Sequence, residues 1–209
     1  MLTHLITTFD QCLRTLTGGS PRTGKPYPAK AIAEPEPPLA PAARKHAASL
    51  MRVNHAGEVA AQALYHGQAA SAKSTELATS LKQAAFDEGD HLHWCETRIN
   101  QLHGHTSYLG PLWYSGAFCI GLLAGVIGDK WSLGFIVETE RQVIKHLEKQ
   151  INKLPNADKA SQAILTQMQQ DEAAHRDHAQ AQGAKPLPAG IKFVMKFTSK
   201  IMVKTAYWV

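Results

Sequence analysis

An all-α fold, built as a four-helix bundle, is what this 209-residue sequence predicts, and three observations carry it. From about residue 44 onward apolar residues recur at three- and four-residue intervals, and no strand-like alternation competes. Alanine is plentiful while aromatic residues are few, a balance that favours helix. Two short turns, "SAKST" (71–75) and "LPNAD" (154–158), cut the helical sequence into four segments, two before and two after an apolar crossover.

In chain order, residues 1–17 form an N-terminal amphipathic segment, with Leu2, Leu5, Ile6, Phe9, Leu13 and Leu16 at helical spacing. The Pro-, Gly- and Ala-rich stretch 18–43 cannot sustain a helix and reads as a linker. A domain follows over 44–209. Its first helix runs to about 68–70, its second to about Leu102, where "HGHTSYLGP" breaks it. The crossover Leu112–Gly128 has seventeen residues and no charge. It is too short to span a bilayer comfortably and too apolar for an exposed loop, so a buried core helix and a membrane-dipping one both fit. Gly116, Gly121, Gly125 and Gly128 would let another backbone or a flat ring approach closely. A third helix covers about 132–153, a fourth runs to about Gln182, and an amphipathic segment, 190–208, closes the chain.

Composition excludes several classes. Three cysteines, Cys12, Cys95 and Cys119, form no close pair, which argues against a disulfide scaffold or a thiolate zinc site and for a reducing compartment. No signal or transit-type presequence is visible, which favours a bacterial origin. The net charge of +5 is concentrated where apolar residues accompany it. In "IKFVMKFTSKIMVKTAYW" Lys192, Lys196, Lys200 and Lys204 recur every fourth residue beside Phe193, Phe197 and Ile201, and Trp208 closes the segment. A basic stripe beside an apolar one describes a helix lying on an anionic membrane surface, or one packed on the bundle with a solvated lysine face. Nucleic acid is not expected, because these lysines have mainly apolar rather than hydrogen-bonding neighbours.

The helical stripes carry the chemistry. Leu77, Leu81, Ala84, Glu88, His91 and Cys95 share one face of the second helix. Ile136, Glu140, Val143 and Leu147 share one on the third, and Ile164, Met168, Glu172, His175 and Ala179 one on the fourth. Glu138 lies about 200° around the helix from Glu140 and points away. Asp-Glu-x-x-His therefore occurs twice on inward faces, at 87–91 and 171–175, and each copy has one inward Glu upstream, Glu58 and Glu140. The midpoints of the two Glu–Glu intervals, 73 and 156, fall inside the two turns. Two helical hairpins then bring all six side chains to one level, roughly 22 Å from the turns.

Ionised carboxylates are not scattered through a core without partners, because each costs several kcal/mol. Four Glu and two His converging in a four-helix core form the ligand set of ferritin-like dinuclear carboxylate proteins. Four carboxylates balance two divalent cations, and oxygen-rich ligation with one imidazole each suits iron or manganese. Asp87 and Asp171 each stand four positions before one of these histidines, placed to accept its outer N–H, or are solvated acids. His93 and His178 fall off the stripes and read as surface or packing residues.

The stretches "MRVNHAGEVAAQALYHGQA" (51–69), "DEGDHLHWCE" (87–96), "VETERQVIKHL" (137–147) and "DEAAHRDHA" (171–179) resemble the demethoxyubiquinone hydroxylase family of ubiquinone biosynthesis. The likeness spans about 50–209. It implies a ferritin-like fold with a centre of two iron ions per chain, ligated by Glu58, Glu88, His91, Glu140, Glu172 and His175. It also implies dioxygen-dependent hydroxylation of a polyprenylated methoxy-methyl-benzoquinol. NADH or the quinol itself would be the reductant, although no Gly-rich dinucleotide fingerprint is present. A peripheral place on the cytoplasmic face of the bacterial inner membrane and contact with other ubiquinone-biosynthesis proteins are implied as well. The resemblance points further to His146, but where animal members carry Tyr beside it this chain has Leu147. Tyr65, two turns from Glu58 on the same face, is either a partial replacement or a packing residue. Two rival readings are a bacterioferritin- or rubrerythrin-like ferroxidase or iron store, and a membrane-docked helical adaptor without chemistry.

Overall fold

The computed structural model describes residues 2–32 and 37–209; the side chains of 2–5, with Leu2 and Leu5 of the N-terminal stripe, and residues 33–36 of the expected linker lie outside that description. Among the described residues every regular element is helical: α1 Leu2–Leu16, α2 Pro41–Ser71, α3 Thr75–Gln101, α4 Gly110–Ile127, α5 Asp129–Ile151, α6 Lys159–Ala181 and α7 Ala189–Ala206, with a 3-10 turn at Pro28–Ala31.

Local chemistry sets the ends. Pro41 opens α2, where its missing N–H costs nothing. The Ser74 hydroxyl accepts from Leu77 N to cap α3, and the Asp158 carboxylate accepts from Ser161 N to cap α6. Arg98 on α3 reaches across to that buried cap, Nη2 to Asp158 Oδ1 at 2.7 Å, and pins the start of α6 to the end of α3. Gly128, at φ +141°, turns the chain between α4 and α5, a conformation L side chains rarely adopt. Asp129 next to it accepts the N–H groups of Lys73 and Ser74, at 2.9 and 3.1 Å, joining this corner to the α2–α3 turn.

The hairpins α2–α3 and α5–α6 build the bundle, and its core is layered. One apolar layer gathers Met51, Trp94, Ile99, Leu147, Leu165 and Met168; the other gathers Tyr65, Leu81, Leu133, Ile136 and Ala179. On all four helices the predicted ligands fall between these layers.

The crossover helix α4 lies along α2 at backbone contact. A Cβ on Gly67 would stand 2.2 Å from Phe118 O, and one on Gly121 would stand 2.2 Å from Leu64 O. Gly125 meets the Ser71 hydroxyl in the same way, whereas Gly116 meets nothing within 4 Å and plays no such part. We expect Gly121→Ala to lower stability by about 1–3 kcal/mol, because both atoms in conflict belong to rigid helices; a denaturant midpoint equal to that of the parent chain would contradict this packing. The outer face of α4 stays bare: Leu112, Ile120, Leu123, Val126 and Ile127 are exposed. By length and composition this helix is able to cross a membrane.

Two segments differ from the sequence expectation. The stretch after α1 is a strap, docked on the bundle: buried Asp90 on α3 accepts the backbone N–H groups of Thr23 and Gly24, each at 3.1 Å. A buried carboxylate needs donors, and a chain without regular structure has free backbone N–H groups to offer. The other is α7. Lys192 does not belong to a free basic stripe, since its ammonium lies 3.7 Å from Glu138, itself buried and bonded to Arg141 and Gln142. Lys196, Lys200 and Lys204 are exposed, as are Phe193, Val194, Phe197, Ile201 and Trp208. Arg52 on α2 ties the end of α7 down by donating to the carbonyls of Ala206 and Tyr207, at 2.8 and 2.7 Å. α1 is two-sided: Cys12, Thr15 and Leu16 face the bundle, and Ile6, Phe9 and Leu13 face outward.

Candidate metal centre

The structure brings the six predicted ligands into one buried layer. Helix periodicity turns Glu58, Glu88, His91, Glu140 and Glu172 inward to between 0 and 3 % exposure. His91 Nδ1 lies 3.1 Å from Glu88 Oε2 and 3.2 Å from Glu172 Oε1; His175 Nδ1 lies 3.4 Å from Glu88 Oε1 and 3.2 Å from Glu172 Oε2. Glu88 and Glu172 thus each present one oxygen to each histidine, the arrangement of two bridging carboxylates. Glu58 completes the His91 half, Oε2 to Nδ1 at 3.6 Å. Glu140 belongs to the His175 half, and His175 adds to the lowering influences on its carboxyl.

The outer nitrogens are held as the sequence anticipates in kind, but crosswise in partner. His91 Nε2–H donates to Asp171 at 3.0 Å and His175 Nε2–H to Asp87 at 3.1 Å, each aspartate serving the histidine of the opposite helix. Within one helix the imidazole is already turned toward its own Glu three residues back, so its far nitrogen points to the neighbour. Tyr65 is more than packing: its hydroxyl donates to Glu140 Oε1 at 2.7 Å. His146 does not join the cluster; its hydrogen-bond partner is Gln150, and burial, with Lys153 and Lys149 nearby, pushes its pKa down to about 4. His93 and His178 are exposed.

Electrostatics shows how the charges of this cluster are balanced. Burial, reinforced by neighbouring glutamates, holds the carboxyls of Glu58 and Glu140 well above the ordinary range. Burial also opposes charge on His91 and His175, yet the bonds they donate to Asp171, Asp87 and the glutamates prevail and hold both imidazoles well above their usual value. For Glu88 burial is likewise outweighed, by the two histidines that face it, and its pKa falls. Burial pushes the Tyr65 phenol up, as do the surrounding glutamates. Protonated histidines and neutral glutamic acids are how such a cluster balances its charge without cations. Glu58 Oε2 and Glu88 Oε1 are buried and accept no hydrogen bond. One ligand atom each from Glu58, Glu88, His91 and Glu172 lies within 4.8 Å of the others. Unsatisfied, convergent acceptors with one imidazole in each half could hold hard-to-borderline divalent metal.

An apolar cavity of about 530 Å³ opens beside the His175 half, lined by Tyr65, Leu81, Ala84, Asp87, Leu133 and His175. A larger groove of about 890 Å³ runs under the strap, but Arg22, Lys25, Asp90 and Arg98 line it and none of the six ligands does. The first is the one that reaches the chemistry. Lys25 on the strap, 3.2 Å from Asp171, had no signal in the sequence reading.

Comparison with known proteins places this geometry in context. The family described as ubiquinone biosynthesis protein COQ7 matches residues 45–206. A 3-demethoxyubiquinol 3-hydroxylase of Nitrosococcus oceani is 50 % identical over 208 residues, covering 100 % of this chain and 96 % of that relative. The enzyme of the same name from Nitrosomonas eutropha is 52 % identical over 205 residues, covering 98 % and 97 %. That of Acinetobacter baumannii is 48 % identical over 205 residues, covering 98 % and 96 %.

Proposed function

Since the chain belongs to the COQ7 family of ubiquinone biosynthesis proteins, we propose that it is a 3-demethoxyubiquinol 3-hydroxylase, a monooxygenase that inserts one oxygen atom from O₂ into a polyprenylated methoxy-methyl-benzoquinol. The observation that carries this reading is the paired Glu/His cluster beside an apolar cavity, within a chain about half identical to enzymes of that name.

Glu58, Glu88, His91, Glu140, Glu172 and His175 would hold two iron ions, which would supply dioxygen activation and the redox capacity of the reaction. The protein does the rest. Glu88 and Glu172 fix the spacing of the two halves through their two oxygens each. Asp171 and Asp87 hold the outer N–H of each imidazole, which keeps Nδ1 free to ligate. Tyr65 orients Glu140 through its hydroxyl. The apolar walls contributed by Leu81, Ala84 and Leu133 suit a flat quinol ring and exclude water from it. NADH or the quinol itself is the reductant in this reading.

The substrate's tail lives in a bilayer, and the bare apolar faces of α1, α4 and α7, with Lys196, Lys200 and Lys204 beside Trp208, support a peripheral place on the cytoplasmic face of the bacterial inner membrane. Other ubiquinone-biosynthesis proteins are its expected neighbours there. The named relatives favour the hydroxylase over the iron-storage alternative.

The test uses iron-loaded protein in lipid or detergent with a demethoxyquinol, a reductant and ¹⁸O₂, followed by mass spectrometry. One ¹⁸O in the product, absent with metal-free protein and with Glu140→Ala, is the expected result. Unchanged quinone with steady iron oxidation would support a ferroxidase instead.

A further inference from the structure

The two copies of the motif differ between their shared ends, and the fold assigns a use to the difference. The first reads Asp-Glu-Gly-Asp-His (87–91) and the second Asp-Glu-Ala-Ala-His (171–175). Gly89 and Asp90 are where the strap crosses α3. A Cβ on Gly89 would stand 2.0 Å from Pro21 O, so the strap lies directly on the helix backbone between two ligands. Asp90, 2 % exposed, then clamps it through Thr23 N, Gly24 N and the Thr23 hydroxyl. In the second copy Ala174 lines the apolar cavity instead.

This clamp delivers Lys25. Its ammonium sits 3.2 Å from Asp171 Oδ2, the same oxygen that accepts His91 Nε2–H at 3.0 Å, while Gln167 donates to the other oxygen at 3.2 Å. Asp87 is bonded to His175 at 3.1 Å and, among the described residues, pairs with no ammonium. Burial follows the same division: the side chain of His91 is 0 % exposed and that of His175 13 %. An otherwise two-fold centre is therefore closed on one side and open on the other, and the closing segment lies outside the matched span 45–206.

We propose that Lys25 is a positioning residue of the centre: strap residues 20–27, clamped on Gly89 and Asp90, hold its ammonium on Asp171, which keeps the His91 imidazole aligned and makes the His91 position the ordered, slowly exchanging one. The proposal rests on the metal-centre reading above. It implies that metal leaves and substrate arrives on the His175 side.

The full-length chain is loaded anaerobically with two equivalents of Co(II), and release to excess EDTA is followed by absorbance. The solvent-exchangeable imidazole N–H resonances, shifted by the paramagnetic ion, are recorded alongside. Parent protein should release its two ions in two phases and show two such N–H signals. Lys25→Met should accelerate the slow phase about fivefold, less than the roughly 10–100-fold effect of losing a group bonded directly to a metal ligand, because Lys25 acts through Asp171. It should also speed exchange of one N–H signal and leave the other phase and signal within about twofold. Lys25→Arg should restore the parent behaviour. Removing a positive charge would by itself retain cations longer, so faster release isolates the positioning effect. Unaltered phases in Lys25→Met, or equal acceleration of both with a lowered Tm, would overturn the proposal by making the strap general scaffolding. Parent protein that binds fewer than two ions would instead overturn the metal-centre reading, and this inference with it.

Discussion

Glu172→Ala should abolish hydroxylation, lowering turnover on the order of 10³-fold or more, and should drop bound iron to one ion per chain or fewer. Its carboxylate is one of two that face both histidines, 3.2 Å from each Nδ1, so its loss removes a ligand from both positions at once. Glu138→Ala is the matched control. It deletes a buried carboxylate from the same bundle, but one that faces Arg141, Gln142 and Lys192. That variant should keep two irons and most of its turnover. Iron counting by mass spectrometry and product formation under O₂ decide the matter; two irons retained in Glu172→Ala would refute the bridging role.

Metal loading should raise Tm by more than roughly 10 °C. An ion present at a thousand times its Kd stabilises by about 4 kcal/mol per site, and a chain of this size gains about 2–4 °C per kcal/mol. The effect has a defined pH sign. Without cations the raised pKa of Glu58, Glu140, His91 and His175 means that these groups hold protons near neutrality. Ligation displaces those protons, so affinity must rise with pH, roughly tenfold per unit for each proton released, and fall on acidification. Calorimetric titration with Co(II) between pH 6 and 8, in buffers of different ionisation enthalpy, measures both affinity and proton count. Affinity independent of pH would show that the cluster is already deprotonated and that its balance of charge has been misread.

The two hairpins and the convergence of four glutamates and two histidines were legible because both depend on one-dimensional regularities. A 3.6-residue period decides which side chains share a face, and Glu140 rather than Glu138 follows from that alone. Equal spacing about a turn decides which residues meet when a hairpin closes, and Glu58 with Glu88, and Glu140 with Glu172, obey it. Glycine spacing was readable only in part. Gly121 and Gly125 face α2 at backbone contact and Gly116 on the same helix faces nothing, and rotation about the helix axis makes that choice.

By itself, then, the sequence determined an all-helical bundle, the inward level of four glutamates and two histidines, and the chemistry such a set can hold. The tertiary structure alone decided which aspartate serves which histidine, that Tyr65 bonds Glu140, that Lys192 turns to Glu138, and that residues 18–32 are a strap bearing Lys25 on the centre. The division has one physical cause. Periodicity and hairpin closure are properties of neighbouring residues along a chain. Partnership across helices depends on their relative rotation and register, and the strap's place depends on a buried carboxylate, Asp90, that took its donors from a backbone with no pattern to announce it.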